Sequence, residues 1–223
     1  MTRVGLILPS SNRVVEDALG KRPSNVHWHV TRLRVQRVAL DADAAAQFEL
    51  ERMADAADLL ADAEVDALAW AGSAGAWTGI ERERALAAHL AETSGRPVTT
   101  TILAVLDALG VAKVERIALL TPFTDEVQAL IRKELTGQGI TVAADRALGL
   151  DSSLAMSRID HRRIMDVGLD LGRSDADAIV ILCTNLRGWE VARALEAATG
   201  RPVVDSVLAT LDAVTALARR PLP

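Results

Sequence analysis

Short β-branched runs alternate with Ala-rich helical stretches along the whole chain. Arg3–Leu8, Trp28–Val35, Val65–Trp70, Val114–Leu120, Thr141–Arg146 and Ala178–Leu182 read as strands. The clearest helix spans Asp43–Ala63, where Phe48, Met53, Ala56, Leu59 and Leu60 recur near the helical period and acidic residues fill the other face. Strands separated by helices of this length require crossover connections, so the pattern predicts an α/β protein with mainly parallel sheets.

The pattern also repeats. Arg3–Asn12 (RVGLILPSSN) aligns with Arg116–Asp125 (RIALLTPFTD), and Gly95-Arg-Pro-Val98 recurs as Gly200-Arg-Pro-Val203. Both of the latter copies precede a similar helix, Ile102–Asp107 in one half and Val207–Asp212 in the other. Gly at a helix C-terminus with Pro beyond it is ordinary stop chemistry, but several segments repeating in one order require a duplicated unit. The expected architecture is two pseudo-twofold-related lobes, residues 1–112 and 113–223, each a parallel sheet of about four strands flanked by helices, with the C-terminal helix free to pack on the other lobe. Strand-end loops of the two lobes then face each other across a cleft, where ligands of open α/β sheets bind. In this alignment Ala67–Ser73 matches Ala178–Thr184, which puts Gly72 where Cys183 stands.

Composition narrows the function. Of the 223 residues half are hydrophobic and a quarter charged, enough for one large core or two small ones. Aromatic content is only 3%, with no Tyr, so Ala, Val, Leu and Ile must build that core. A net charge of -5 with interspersed Lys and Arg gives no footprint for nucleic acid. No apolar run approaches the ~18 residues of a membrane span, and no Cys/His cluster has zinc-ligand spacing. A single cysteine and a start that runs straight into an apolar strand point to a cytoplasmic protein. The expected partner is a small molecule, with no metal and no cofactor; self-association into a homo-oligomer is compatible with the sequence.

Cys183 ends an apolar strand and is followed by Thr-Asn-Leu-Arg-Gly188, which reads as a turn into a helix. Free backbone N–H groups and a helix dipole there are expected to lower the thiol pKa and let it exchange protons near neutrality. An inert buried cysteine is the competing reading. Pro9-Ser-Ser-Asn12 supplies small polar groups that grip a carboxylate, cap the next helix, or both. Gly72-Ser-Ala-Gly75 is a donor-rich loop. His27 and His29 share a strand face without a third ligand, so a solvated edge is expected. Trp70 is assigned to packing, Trp77 to either the lobe interface or a substrate wall, and Arg187 to the solvent side or a substrate carboxylate.

Gly5-Leu-Ile-Leu-Pro-Ser-Ser-Asn12, His29-Val-Thr-Arg-Leu-Arg34, Thr121-Pro-Phe-Thr-Asp-Glu-Val127 and Cys183-Thr-Asn-Leu-Arg187 together resemble successive motifs of the aspartate/glutamate racemase superfamily, in its maleate cis-trans isomerase and arylmalonate decarboxylase branch. The likeness runs from about Arg3 to about Ala218. It implies a pair of α/β lobes and an enzyme acting on a small carboxylate or dicarboxylate. By the same resemblance Asn12 binds a carboxylate with Ser11 beside it, Cys183 is the second of two catalytic thiols, and Thr184 and Asn185 hydrogen-bond the substrate. Thr121, Ser153 and Met156 are implied pocket residues.

Two positions depart from the family pattern: the first thiol is replaced by Gly72, and the Tyr that usually follows Thr-Pro is Phe123. Two-base inversion removes a proton from one face and returns one to the other, so one thiol disfavours racemisation. Decarboxylation generates a carbanion without a base and needs a single acid. The reading is therefore a cofactor-independent decarboxylase of a substituted malonate or similar dicarboxylate. Cys183 delivers the proton, and Gly72, Ser73 and Ala74 donate hydrogen bonds to the enediolate. The alternatives are a maleate-type cis-trans isomerase using Cys183 as nucleophile or a related racemase-type isomerase moving a proton on a similar acid, or else a non-catalytic carboxylate binder.

Overall fold

The computed structural model describes residues 1–22, 25–35 and 50–220. Two four-stranded parallel sheets form the frame. The first is ordered β2-β1-β3-β4, with β1 Thr2–Pro9, β2 Val26–Leu33, β3 Ala67–Trp70 and β4 Val98–Thr100. The second is ordered β6-β5-β7-β8, with β5 Arg116–Thr121, β6 Thr141–Ala147, β7 Ala178–Ile181 and β8 Val203–Asp205. All pairings are parallel. The identical order in both halves is the duplication expressed in three dimensions.

The central strands are fully buried because helices cover both sheet faces, which explains their unbroken apolar runs. Differences from expectation are confined to ends and to two short strands. The run at Trp28–Val35 pairs only as far as Leu33 and starts earlier, at Val26; the third strand begins at Ala67. β4 and β8 have three residues each, too few to announce themselves by alternation. The expected helix Asp43–Ala63 is seen as Leu50–Ala61, with its first part outside the described residues.

Both Gly-Arg-Pro-Val copies serve as helix stops. Gly95 ends the helix Ile80–Ser94 at φ 63°, and Gly200 ends Gly188–Thr199 at φ 68°, left-handed conformations that glycine adopts without a Cβ penalty. Pro then releases the chain into β4 and β8.

The helices that follow these strands cross over. Ser206–Ala218 lays Val207, Leu211 and Val214 against Val4, Leu6, Leu8, Ala67 and Ala69 of the first sheet. Thr101–Val111 carries Ile102, Val105 and Leu109 into the core of the second, with Ile117, Leu119 and Ile179. Where the two helices meet, the Thr210 hydroxyl donates to Thr101 Oγ1 at 3.1 Å. No described helix is long and apolar enough to cross a membrane.

Candidate active site

The carboxyl ends of β1, β3, β5 and β7 open onto a common space between the sheets. Pro9 and Asn12 follow β1, Gly72, Ser73 and Ala74 follow β3, Phe123 follows β5, and Cys183, Thr184 and Asn185 follow β7; all line one cavity with Val35, Trp70, Trp77, Ser153 and Met156. Topology alone gathers them, because parallel strands end on the same side.

Two asparagines lock the facing loops together. Asn12 accepts through Oδ1 from the N–H of Val14 and Val15 at 3.1 Å each, capping the helix Val14–Leu19. Its Nδ2 donates across the interface to Thr184, to the carbonyl at 3.1 Å and Oγ1 at 3.2 Å. Asn185 answers in the other direction: its Oδ1 accepts from Arg13 N–H at 3.0 Å, and its Nδ2 donates to the carbonyls of Ser153 at 2.7 Å and Ser11 at 3.3 Å. Thr184 Oγ1 donates to Ala71 at 3.0 Å. Both amides are thus fully engaged, and their polar atoms define cavity walls whose shape is fixed by protein partners.

Cys183 is 3% exposed and is one of the residues lining the cavity. Its backbone N–H donates to Ser206 Oγ at 3.0 Å, and the Asn185 N–H donates to Sγ at 3.4 Å. The expected lowering of its pKa is overturned. Burial pushes the thiol up to about 12, against the smaller downward pull of the Asn185 N–H and the Ser73 side chain, while the Asp205 carboxyl adds to the rise. The helix that follows starts only at Gly188, and the N–H groups that do reach the sulfur, from Asn185 and Leu186, are outweighed by burial. At neutral pH the group is a thiol with its proton on.

A further part of the wall is the Gly72-Ser73-Ala74 loop. The backbone N–H groups of Ser73, Ala74 and Thr184 have no acceptor among the described residues, and all three residues line the cavity. Such a set of donors suits an anion. Gly72 is required there by packing: a Cβ added to it would lie 2.2 Å from Cζ2 and 2.5 Å from Cε2 of Trp70. The indole, 1% exposed, occupies the volume that a side chain at position 72 would need. Trp70 is therefore a packing residue, as expected, and also a wall of the cavity. Trp77 meets Phe123 edge-on at 4.9 Å, and Met156 completes that apolar side.

Other expected residues have different surroundings. The Thr121 hydroxyl donates to Gln128 Oε1 at 2.6 Å, and Ser11 Oγ donates to the Val35 carbonyl at 2.7 Å and accepts from Ser153 Oγ at 2.9 Å. Neither residue is on the cavity wall. Arg187 is bound by Asp17 at 2.6 Å and Glu190 at 2.8 Å, which raise its pKa. His27 is exposed and His29 half-buried on the edge strand β2, and no group of three or more metal-ligating side chains occurs among the described residues.

Asp205 and Ser206 escaped the sequence reading. They end β8 in the position that Thr100 and Thr101 hold after β4, so the Gly-Arg-Pro-Val repeat was the available signal. Asp205 caps the helix Ser206–Ala218 through Oδ1 while its buried Oδ2 has no partner, and burial pushes its pKa up to about 7.

The sequence model of the arylmalonate decarboxylase family matches residues 4–222. The chain belongs to that family. Among curated relatives, a maleate isomerase of Pseudomonas putida is 29% identical, over 93% of this chain and 88% of the relative. An arylmalonate decarboxylase of Bordetella bronchiseptica is 30% identical, over 58% and 55%. Among solved structures, the maleate isomerase of Pseudomonas putida S16, in a cysteine-to-alanine form with maleate, superposes with a TM-score of 0.87 at 26% identity, covering 97% of this chain and 92% of that one. The chain is thus an enzyme of the branch holding both activities, with the superfamily and the fold class as expected.

Proposed function

We propose that this family member is a decarboxylase of substituted malonates, with Cys183 as its single proton donor. One observation carries the reading: the space for a side chain at position 72 is filled by the Trp70 indole. The wall at Gly72 therefore has no thiol to pair with Cys183, and a second one would have to displace the indole.

The chemistry follows from what remains. A substituted malonate bound with one carboxylate near the donors of the Gly72–Ala74 loop loses its other carboxylate as carbon dioxide, and the bonding pair stays on the α-carbon as an enediolate. The loop N–H groups stabilise the charge as it spreads onto the retained carboxylate, each donor contributing about 3 kcal/mol. The Cys183 thiol gives its proton to that carbon, and the resulting thiolate recovers one from water. A thiol held near 12 suits this step, since it arrives protonated and meets a far stronger base. Asn12, Thr184 and Asn185 keep the loops in register, while Ser11, Ser153 and Thr121 support that frame. Phe123, Trp77 and Met156 give the substituent an apolar neighbour.

The second reading is cis-trans isomerisation of maleate, favoured by the Pseudomonas putida relative. There Cys183 would add to the double bond, allow rotation, and leave. Addition needs a thiolate, which burial opposes.

Proton NMR in heavy water tests both. Phenylmalonate is expected to lose carbon dioxide and give phenylacetate carrying one deuterium, with maleate unchanged. Conversion of maleate to fumarate, with malonates untouched, refutes the decarboxylase reading.

A further inference from the structure

Asp205 and Ser206, at the end of β8, meet both ends of the loop that carries the thiol. Ser206 Oγ accepts the Cys183 N–H at 3.0 Å. The Asp205 carboxyl abuts Gly188 at the other end, where an added Cβ would lie 2.4 Å from Oδ2. The loop from Cys183 to Gly188 is thus held at its first residue by a hydroxyl and packed at its last against a carboxyl.

Capping the helix Ser206–Ala218 does not call for that carboxyl. Oδ1 alone accepts from the N–H groups of Val207 and Leu208, at 2.9 and 3.0 Å, and Asn or Ser caps a helix equally well. The residue is 1% exposed and its Oδ2 has no partner among the described residues. A buried carboxyl oxygen left without a donor is costly, so a cap by itself explains the position but not the acid.

The duplication sharpens the point. The register that lays Gly200 on Gly95 lays Asp205 on Thr100 and Gly188 on Glu83. Each lobe therefore keeps one buried carboxyl between this helix and this strand end, on the helix as Glu83 in the first lobe and on the strand as Asp205 in the second. In the second lobe the same strand end also anchors a cysteine.

We infer that Asp205 is a positioning residue for Cys183 that sets the acidity of its thiol: with its own proton on, the carboxyl lets the sulfur part with a proton, and once ionised it holds that proton in place. Two like charges in one dry site disfavour each other, and the ionised carboxyl accordingly pushes the thiol up. Other charged groups do not share the site. β7 carries none, and Glu190, Arg193 and Glu196 of Gly188–Thr199, Asp212 of Ser206–Ala218 and Asp107 of Thr101–Val111 are all exposed. At neutral pH the sulfur keeps its proton in either state, so Asp205 governs how readily that proton leaves. The consequence for turnover rests on the decarboxylase reading: the sulfur ends the step as a thiolate, so kcat should fall as pH rises through about 7, where Asp205 ionises.

The test reads the thiol directly. Cys183 is the single cysteine, so its alkylation by iodoacetamide, followed as loss of free thiol, reports the thiolate at this one position. Rates are compared across pH on the ligand-free protein. Asp205→Asn, which keeps a capping oxygen, should react as the unsubstituted protein does below about pH 6 and about 5- to 30-fold faster above about pH 8. Asp205→Ser caps by a different group and should give the same pH-dependent ratio, which guards against a folding defect peculiar to one variant. A ratio that stays constant across pH, whether at one or at a higher value from a loosened loop, overturns the inference. The kcat decline should vanish in Asp205→Asn as well. Alkylation needs no substrate, so phenylmalonate left unturned would sink the decarboxylase reading alone.

Discussion

Gly72→Cys, which would install a second thiol, puts the packing argument under direct load. Its Cβ would meet three carbons of the Trp70 ring at 2.2, 2.5 and 2.8 Å, where relaxed carbon contacts lie at about 3.5–4.0 Å. The indole would have to withdraw by more than about 1 Å, against Ile7, Leu33, Leu68 and Leu90 or toward the space of about 310 Å³ that it lines with Met53. Overpacking of this kind costs about 1–3 kcal/mol. At this chain length each kcal/mol is worth about 2–4 °C, so the melting temperature should fall by about 2–12 °C. Trp70→Leu in the same chain frees the volume, and the double variant should be more stable than the sum of the single losses. It should also acquire exchange of the α-proton of a 2-arylpropionate with heavy water, because two acids then flank the carbon. Thermal unfolding and NMR read the two effects. A Gly72→Cys protein that melts with the unsubstituted one and leaves Trp70 undisturbed refutes the reasoning.

Cys183→Ala should lower kcat for malonate decarboxylation by about 10²- to 10⁴-fold, the usual worth of a positioned acid, with KM nearly unchanged in steady-state assays. Asp205 and Glu83 both have pKa values raised to about 7 in the folded protein, from ordinary values of 3.8 and 4.5. The folded state therefore binds more protons than the unfolded one between about pH 4 and 7, and stability falls as pH rises through that window and then levels off. Denaturant titrations should show Asp205→Asn, which keeps the capping oxygen, flattening this slope; a slope unaltered in that variant speaks against the buried carboxyl as its source. Asn185→Ala removes the acceptor of Arg13 N–H and the donor to Ser153 and Ser11, and should cost about 1–3 kcal/mol, measured by chemical unfolding.

The chain announced its frame because each half repeats the same strands and helix stops: Arg3–Asn12 against Arg116–Asp125, and Gly95 against Gly200. Parallel strands then had to deliver Asn12, Gly72, Phe123 and Cys183 to one rim. Three-residue strands such as Val98–Thr100 carry no periodicity and could only be inferred from the repeat. The thiol's acidity was misread because the sequence displays nearby N–H groups but not the depth of burial, and desolvation outweighs them. Thr121 was drawn inward by Gln128, a partner seven residues along the helix side of the turn. The reason for Gly72 was equally hidden: Trp70, the last residue of β3, is two residues away, yet only the ring's direction shows that it fills the missing side chain's volume.

The crossed helices have a consequence for folding. Ser206–Ala218 covers Val4, Leu6 and Leu8 while its first residue holds the backbone of Cys183, so one helix both seals β1 and anchors the loop that carries the thiol. A nascent chain stopped short of it has a bare apolar sheet and no anchored thiol. Activity and cooperative unfolding should accordingly disappear together when this segment is removed.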